Sequence, residues 1–116
     1  MAPVHAFLGP IVFALNVLRV IWTGYRMLAG RSLPAERPLT GLYIGLFDLQ
    51  ALLGVILLLT AGTGAVPALH PGLMLLAVVV AHIGVAQGRK PDTPPAVPFA
   101  LALISTILVA LAYPRP

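Results

Sequence analysis

Few side chains in this sequence could do chemistry, and most of them lie inside long apolar stretches. The three histidines are His5, His70 and His82, and the apolar stretches also contain Arg19 and Asp48. Neutral imidazole binds metals and haem iron, and a guanidinium pairs with carboxylates. The sequence has no paired-carboxylate site, no glycine-rich phosphate loop and no nucleophile beside a base. We therefore expect ligand binding rather than enzymatic catalysis of the kind found in soluble proteins.

The composition indicates lipid as the solvent. Of the 116 residues, 59% are apolar and only 9% are charged, and a soluble domain of this size could not bury so much apolar surface. Cysteine is absent, which excludes disulfides, thiolate metal sites and thioether-linked haem. The net charge of +4 comes from residues at helix ends. It therefore indicates topology and contact with anionic lipid, not nucleic-acid binding.

Four apolar stretches predict an all-α integral membrane protein, an up-down four-helix bundle that forms a single domain over residues 1–116. The first ten residues lack the basic start of a signal peptide, so we expect the first helix to remain in the mature protein. The four helices are expected at about residues 3–28, 41–61, 67–87 and 96–113. The segment 29–40 contains Gly30, Pro34 and Pro38 and is expected to be a basic surface loop without chemistry of its own.

The basic residues next to the helices predict the orientation. Five of them flank the first and third connections: Arg26, Arg31, Arg37, Arg89 and Lys90. The other side of the membrane has only Arg115. Because cytoplasmic loops are enriched in Lys and Arg, both termini are expected on the outer, non-cytoplasmic face.

Two histidines are predicted near that outer face. His5 opens helix 1 and His70 opens helix 3, and in an up-down bundle these helices are parallel and diagonal across the core. Two histidines at one level on diagonal helices could be the axial ligands of one haem iron. Alternatively, both are interfacial residues that bind water or lipid headgroups.

A second polar layer is predicted closer to the cytoplasmic face. Because an unpaired charge in hydrocarbon costs several kcal/mol, we expect Arg19 to pair with Asp48, and His82 can add a hydrogen bond. Asn16 and Gln50 complete this inner polar cluster. The cluster is either a clamp that fixes helix order or a functional site, such as a proton relay or a partner for haem propionates, for which Arg19 is suited.

Small residues predict close helix packing. In helix 2 they form the motif Gly41-xxx-Gly45. In helix 3 a stripe of mostly small residues shares one face: His70, Met74, Ala77, Ala81 and Gly84.

Several short runs resemble a family of small bacterial four-helix membrane proteins that are often labelled cytochrome b-like. His5 and Pro114 also occur where the family has an early histidine and a closing proline. The runs that carry the resemblance are Phe47-Asp-Leu-Gln-Ala-Leu-Leu-Gly54, Leu69-His-Pro-Gly-Leu-Met-Leu-Leu-Ala77, His82-Ile-Gly84 and Arg89-Lys90.

The resemblance covers most of the chain. It implies a multi-pass protein of the bacterial cytoplasmic membrane that binds haem b through His5 and His70. Two departures affect what can be carried over. Members of the family often have an acid where this chain has Leu69, and some have a histidine where it has Asp48. The first departure weakens the idea that a neighbouring carboxylate orients His70.

Three functions remain open. The first is a b-type haem protein that transfers electrons. The second is a non-catalytic accessory subunit of a larger respiratory or photosynthetic membrane complex, suggested by short loops and by a fourth helix whose only polar residues are Ser105 and Thr106. The third is a small transporter, which is disfavoured because four-helix multidrug exporters depend on an acid in helix 1, where this chain has Arg19. The expected partners are the lipid bilayer and other membrane-protein subunits, not nucleic acid.

Overall fold

The computed structural model describes residues 2–31, 36–61 and 69–112, and the regular structure in these ranges is entirely α-helical. The all-α prediction is confirmed. The predicted start of helix 3 at Pro67 and the residues from Tyr113 to the C-terminus lie outside the described residues. The four helices are α1 (Ala2–Ala29), α2 (Glu36–Ala61), α3 (Leu69–Gly88) and α4 (Ala96–Ala112).

The start of α2 differs from the expected one. The helix begins at Glu36, five residues before Gly41, in a segment that its prolines had marked as a loop. Pro38 lies in the first helical turn, where a missing N–H removes no intrahelical hydrogen bond. Glu36 in the same turn is stabilised by the positive end of the helix dipole. The helix therefore has a polar first turn ahead of its apolar part.

α1 ends where Gly30 adopts a left-handed conformation. The φ angle of Gly30 is 74°, and its N–H donates to the carbonyl oxygen of Arg26 at 3.0 Å. This C-terminal cap needs a residue without Cβ, because other residues are strained at positive φ. Pro10 lies inside the helix without ending it.

The helices are arranged as a ring in which each packs against two others. α1 and α3 each contact both α2 and α4, so α1 and α3 are diagonal to one another. Gly54, late in α2, lies against His5 at the start of α1, and Gly84, late in α3, lies against Leu101 early in α4. Neighbouring helices are therefore antiparallel, as in an up-down bundle.

The two ends of this bundle differ in chemistry. We call the end that holds the starts of α1 and α3 the N-terminal end. The opposite end, where the α1–α2 and α3–α4 connections lie, is the basic end, because it holds Arg26, Arg31, Arg37, Arg89 and Lys90.

Different side chains fill the two halves of the core. Between α1 and α2, the ring centroids of Trp22 and Tyr43 lie 6.4 Å apart, and those of Tyr43 and Phe47 lie 5.8 Å apart. Both pairs have edge-to-face geometry. Such ring pairs add to the stabilisation that burial alone provides. The face that α3 buries consists of small residues and one valine: Ala77, Ala81, Gly84 and Val85. The predicted small-residue stripe is therefore a packing face.

The outer surface of the bundle is apolar. Phe7, Leu52, Leu75 and Ile107, one from each helix, all expose large apolar side chains. Three helical segments are long and apolar enough to cross a membrane, and α4 is shorter at 17 residues. A surface of this kind suits contact with lipid or protein rather than water. The three segments are Pro3–Ala29, Glu36–Thr60 and Leu69–Gly88.

We expect Gly84→Leu to destabilise the α3–α4 pair. A Cβ at Gly84 would lie 3.2 Å from Cβ of Leu101, and larger groups would force the two helices apart. The expected loss is about 1–3 kcal/mol of unfolding free energy, measured by thermal unfolding in detergent. Gly72→Leu is the matched control, since nothing lies within 4 Å of its Cβ position. Equal losses in the two variants would contradict this account of the α3–α4 contact.

Candidate functional site

His70 is held by the main chain of another helix. Its Nδ1 lies 2.6 Å from the carbonyl oxygen of Ala112, the last residue of α4. A carbonyl can only accept, so Nδ1 carries the proton and donates it. In the neutral ring Nε2 is then left with a free lone pair. A hydrogen bond of this kind is what fixes the tautomer and direction of histidines that bind metals.

The His5 side chain packs against Gly54 of α2. Its Cε1 is 3.2 Å from the position that a Cβ on Gly54 would occupy, so the imidazole ring rests against the α2 backbone. One turn before Gly54, Nε2 of Gln50 donates to the backbone carbonyl oxygen of His5 at 2.8 Å. Gly54 and Gln50 together position the first turn of α1 on α2.

The histidine ring of α1 has an unused nitrogen. Nδ1 of His5 and Oε1 of Gln50 are both buried, and neither has a hydrogen-bond partner among the described residues. Gln50 lies beside His5 through the bond to its backbone carbonyl, and His70 lies in the first turn of α3 at the same end of the bundle. The structure therefore places two imidazoles at the N-terminal end of the bundle, on diagonal helices.

Arg19 is buried nearer the basic end, with only 5% of its surface exposed. Its guanidinium carbon lies 5.8 Å from the ring centroids of both Trp22 and Tyr43. Nη1 donates to Oγ1 of Thr40 at 3.2 Å. Cation–π attraction and this hydrogen bond partly replace the water that the buried charge has lost.

The predicted ion pair of Arg19 with Asp48 is not formed within the described residues. Instead, Asp48 Oδ1 lies 2.7 Å from Nε2 of His82, and both side chains are about half exposed. The reason is helical rotation: Asp48 is five residues after Tyr43, or about 140° around α2. Arg19 meets the Tyr43 side of that helix, while Asp48 faces the α3 side. Similar depth did not bring Arg19 and Asp48 together.

Asn16 belongs to a buried network that includes a residue of α4. Its Nδ2 donates to the carbonyl oxygen of Val12 at 2.9 Å. The Ser105 hydroxyl lies 3.2 Å from both Oδ1 of Asn16 and the carbonyl oxygen of Ala77, and can donate its single proton to either. The Thr106 hydroxyl lies 3.2 Å from the carbonyl oxygen of Asn16 and 2.8 Å from that of Ala102 in its own helix, and can donate to either. This network joins α1, α3 and α4 in the middle of the bundle.

Gln50 and Ser105 make contacts that the sequence did not predict. Gln50 was assigned to the inner polar cluster, but it contacts His5 at the N-terminal end, because it is about 200° around α2 from Asp48. Ser105 was given no role, although it and Thr106 are the only polar residues of α4. Their presence in an otherwise apolar helix could have predicted a contact, since a buried hydroxyl needs an acceptor.

At the basic end, Arg26 makes contacts in a region where the sequence predicted only a surface loop. Arg26 Nη1 donates to the carbonyl oxygen of Gly88 at 3.1 Å and lies 3.6 Å from a carboxylate oxygen of Glu36. The two contacts join the end of α1 to the end of α3 and the start of α2. Gly88 O is one of the last carbonyls of α3, which the helix itself leaves without a donor.

Comparison of the chain with protein families, curated proteins and solved structures finds no match. The resemblance to cytochrome b-like proteins therefore stays a prediction, and the functional argument depends on the geometry of the polar residues.

We expect Arg19→Gln to lower the unfolding free energy by about 1–3 kcal/mol, because the substitution removes the cation from Trp22 and Tyr43. Thermal unfolding in detergent measures the loss, with the fluorescence of Trp22, the only tryptophan in the chain, as a check on local packing. Arg37→Gln, at an exposed position, is the control. A variant at position 19 as stable as this control would show that the buried guanidinium contributes nothing to the fold.

Proposed function

We propose that this protein is an integral membrane protein whose four helices cross the bacterial cytoplasmic membrane, with both termini on the outer face. Support comes from the three long apolar helices, from the apolar outer surface and from the basic residues gathered at one end. α4, at 17 residues, has about the least length that spans a bilayer core. In this topology the basic end is cytoplasmic.

We further propose that the bundle binds one b-type haem between α1 and α3, and that His5 and His70 would hold its iron. The observation that carries this proposal is the bond from Nδ1 of His70 to the Ala112 carbonyl. It leaves Nε2 as the lone-pair nitrogen and holds the ring in place, as the supporting groups of metal-binding histidines do.

His5 fits the same role from the opposite side of the bundle. Its buried Nδ1 lacks a partner, and the buried Oε1 of Gln50 lacks a donor. If Nδ1 carries the proton, a hydrogen bond from it to Oε1 of Gln50 would satisfy both atoms and leave Nε2 of His5 free for iron. Gly54 supports this orientation because any side chain there would displace the ring.

The haem would supply one-electron chemistry, and the residues of this chain would hold and orient it. Two neutral imidazole ligands complete the coordination of haem iron, so electron transfer is the role that this donor set favours. Arg19 is not assigned to the haem propionates. It lies fourteen residues after His5, about 21 Å along α1, and its guanidinium is already held by Thr40 and two aromatic rings.

An accessory subunit of a larger membrane complex is the second candidate. The half-exposed Asp48–His82 pair favours it, since lipid does not solvate such a pair and a protein neighbour can. Co-purification with larger subunits in mild detergent would support this role. The two functions are compatible, because a haem-binding subunit can also belong to a complex.

The haem proposal predicts a b-type signal in the reduced-minus-oxidised visible spectrum of the purified protein, with about one haem per chain in a pyridine haemochrome assay. His5→Ala and His70→Ala should each abolish or shift the signal, because each removes an axial ligand. Gly54→Leu should weaken it through displacement of the His5 ring.

His82→Ala is the matched control, since His82 lies twelve residues after His70 in α3 and is bonded to Asp48. A blank spectrum from haem-replete cells would reject the cofactor. A normal spectrum after either ligand substitution would reject the ligand assignment.

A further inference from the structure

A hydrogen-bonded pair of ionisable residues, Asp48 and His82, lies on the outside of the bundle at a depth where lipid is expected. Asp48 is the thirteenth of the 26 residues of α2, and His82 is the fourteenth of the 20 residues of α3. They meet at 2.7 Å, yet their side chains remain 46% and 52% exposed respectively. Ionisable groups inside a membrane nearly always face protein or water-filled space, because hydrocarbon cannot solvate them. The surface around this pair therefore requires a neighbour that is not lipid.

The pair leaves one polar atom free on each residue. The bond uses Oδ1 of Asp48 and Nε2 of His82, and within the described ranges no further bond reaches Oδ2 or Nδ1. If the imidazole is charged, Nδ1–H is a donor and Oδ2 an acceptor. If the proton lies on the carboxyl instead, Oδ2–H is the donor and Nδ1 the acceptor. In both of these states, which hold one proton more than a neutral imidazole beside a carboxylate, each pair offers one donor and one acceptor.

Such a pair is complementary to a second copy of itself. When two pairs meet across a two-fold axis, the free atom of each aspartate faces the free atom of the other histidine. Two identical hydrogen bonds then form, and every polar atom of the four side chains is used. Two copies inserted with the same topology also hold their pairs at the same depth, which a two-fold axis along the membrane normal requires.

The surface beside the pair allows two helices to approach closely. Gly41 and Gly45 are exposed, and nothing lies within 4 Å of the Cβ position at either. The Gly-xxx-Gly motif of α2 is therefore not used within one chain. On the basic-end side of His82, Ala86 is also exposed. Small residues at these positions let the backbone of another helix come near, as in close helix dimers.

Larger side chains continue the same two stripes toward the N-terminal end. Leu52 follows Asp48 on α2, and Leu75 and Val79 precede His82 on α3, all well exposed. The stripe on α2 is Gly41, Gly45, Asp48 and Leu52, and the stripe on α3 is Leu75, Val79, His82 and Ala86. Both stripes have the 4-3-4 spacing of helices that pack along a seam. We call these two stripes the α2–α3 face.

We propose that the α2–α3 face is the contact surface of a two-fold symmetric dimer of this chain, in which the Asp48–His82 pairs of the two copies bond to each other. The occupant is a second copy because the free donor and acceptor of the pair match their own symmetry mates. This inference rests on membrane insertion as proposed above and does not depend on haem binding.

Cross-linking in native membranes tests the contact directly. The chain contains no cysteine, so a single introduced thiol reports one position. Gly45→Cys should give a product of twice the chain mass with a short bis-maleimide or on oxidation. Ala100→Cys, at an exposed position of α4 on a helix that does not contact α2, is the matched control and should give little. Cross-linking of Gly45→Cys no greater than the control, or only to a different protein, would overturn the proposal.

A second measurement separates a weak dimer from a failed fold. Energy transfer between labelled chains in liposomes, followed as lipid is added, gives the dissociation constant. Gly45→Leu and the double variant Asp48→Leu/His82→Leu should each raise it at least tenfold, while Ala100→Leu leaves it unchanged. Because nothing lies within 4 Å of the Cβ position at Gly45, the variant should retain native helicity and thermal stability. Unchanged association in both variants would also overturn the proposal.

Recovery of the chain in the membrane fraction is checked first. A chain absent from membranes would reject the insertion on which the dimer depends, whereas a membrane-bound monomer would reject the dimer alone. The haem spectrum is independent of both outcomes.

Discussion

Several polar side chains inside this bundle find a partner on another helix, because the packed core offers them no water. Apolar side chains pack in many registers with similar energy, whereas a hydrogen bond of good geometry selects one. Gln50 ties α2 to the first turn of α1. Ser105 ties α4 to α1 and α3, and Arg26 ties α1 to the end of α3. These few bonds set how far each helix is shifted and rotated against its neighbours.

The two ends of the bundle meet this constraint in different ways. Toward the basic end, Arg19 and Arg26 are already engaged by the protein: Arg19 by Thr40 and two aromatic rings, and Arg26 by Gly88 and Glu36. At the N-terminal end the imidazoles are held in place, but Nδ1 of His5 is buried without a hydrogen bond. A ligand therefore gains more from this end, where a nitrogen can still form a bond, than from Arg19 or Arg26.

Periodicity and helix order were readable from the sequence. The stripe of Ala77, Ala81 and Gly84 is buried on α3, because small residues on one helical face serve close packing whatever the partner. The diagonal relation of α1 and α3 follows from four helices joined by short connections. The start of α2 was misplaced because prolines were interpreted as loop residues, although a first turn tolerates them.

The pairing of individual polar residues was less predictable. Depth along a helix was used to group Arg19, Asp48 and Gln50, but a helix turns about 100° at each residue. Gln50 therefore points into the core toward His5, while Asp48 lies near the surface beside α3. The rotation of a residue around its helix identifies its partner only when the facing helix is known. Which helix faces it depends on residues far away in the sequence. The role of Ser105 could not be predicted for the same reason, since its acceptor on α1 is 89 residues away.

The acceptor for His70 is a backbone atom, and this changes what in α4 can vary. The carbonyl oxygen of Ala112 is present whichever amino acid occupies that position, so the orientation of the imidazole is encoded in the length of α4 rather than in a residue type. Conservative substitutions along this plain apolar helix can leave the histidine aligned. A one-residue insertion or deletion would instead turn the last carbonyl by about 100° and move it by about 1.5 Å. α4 has the least distinctive sequence of the four helices, yet its length is what sets the orientation of His70.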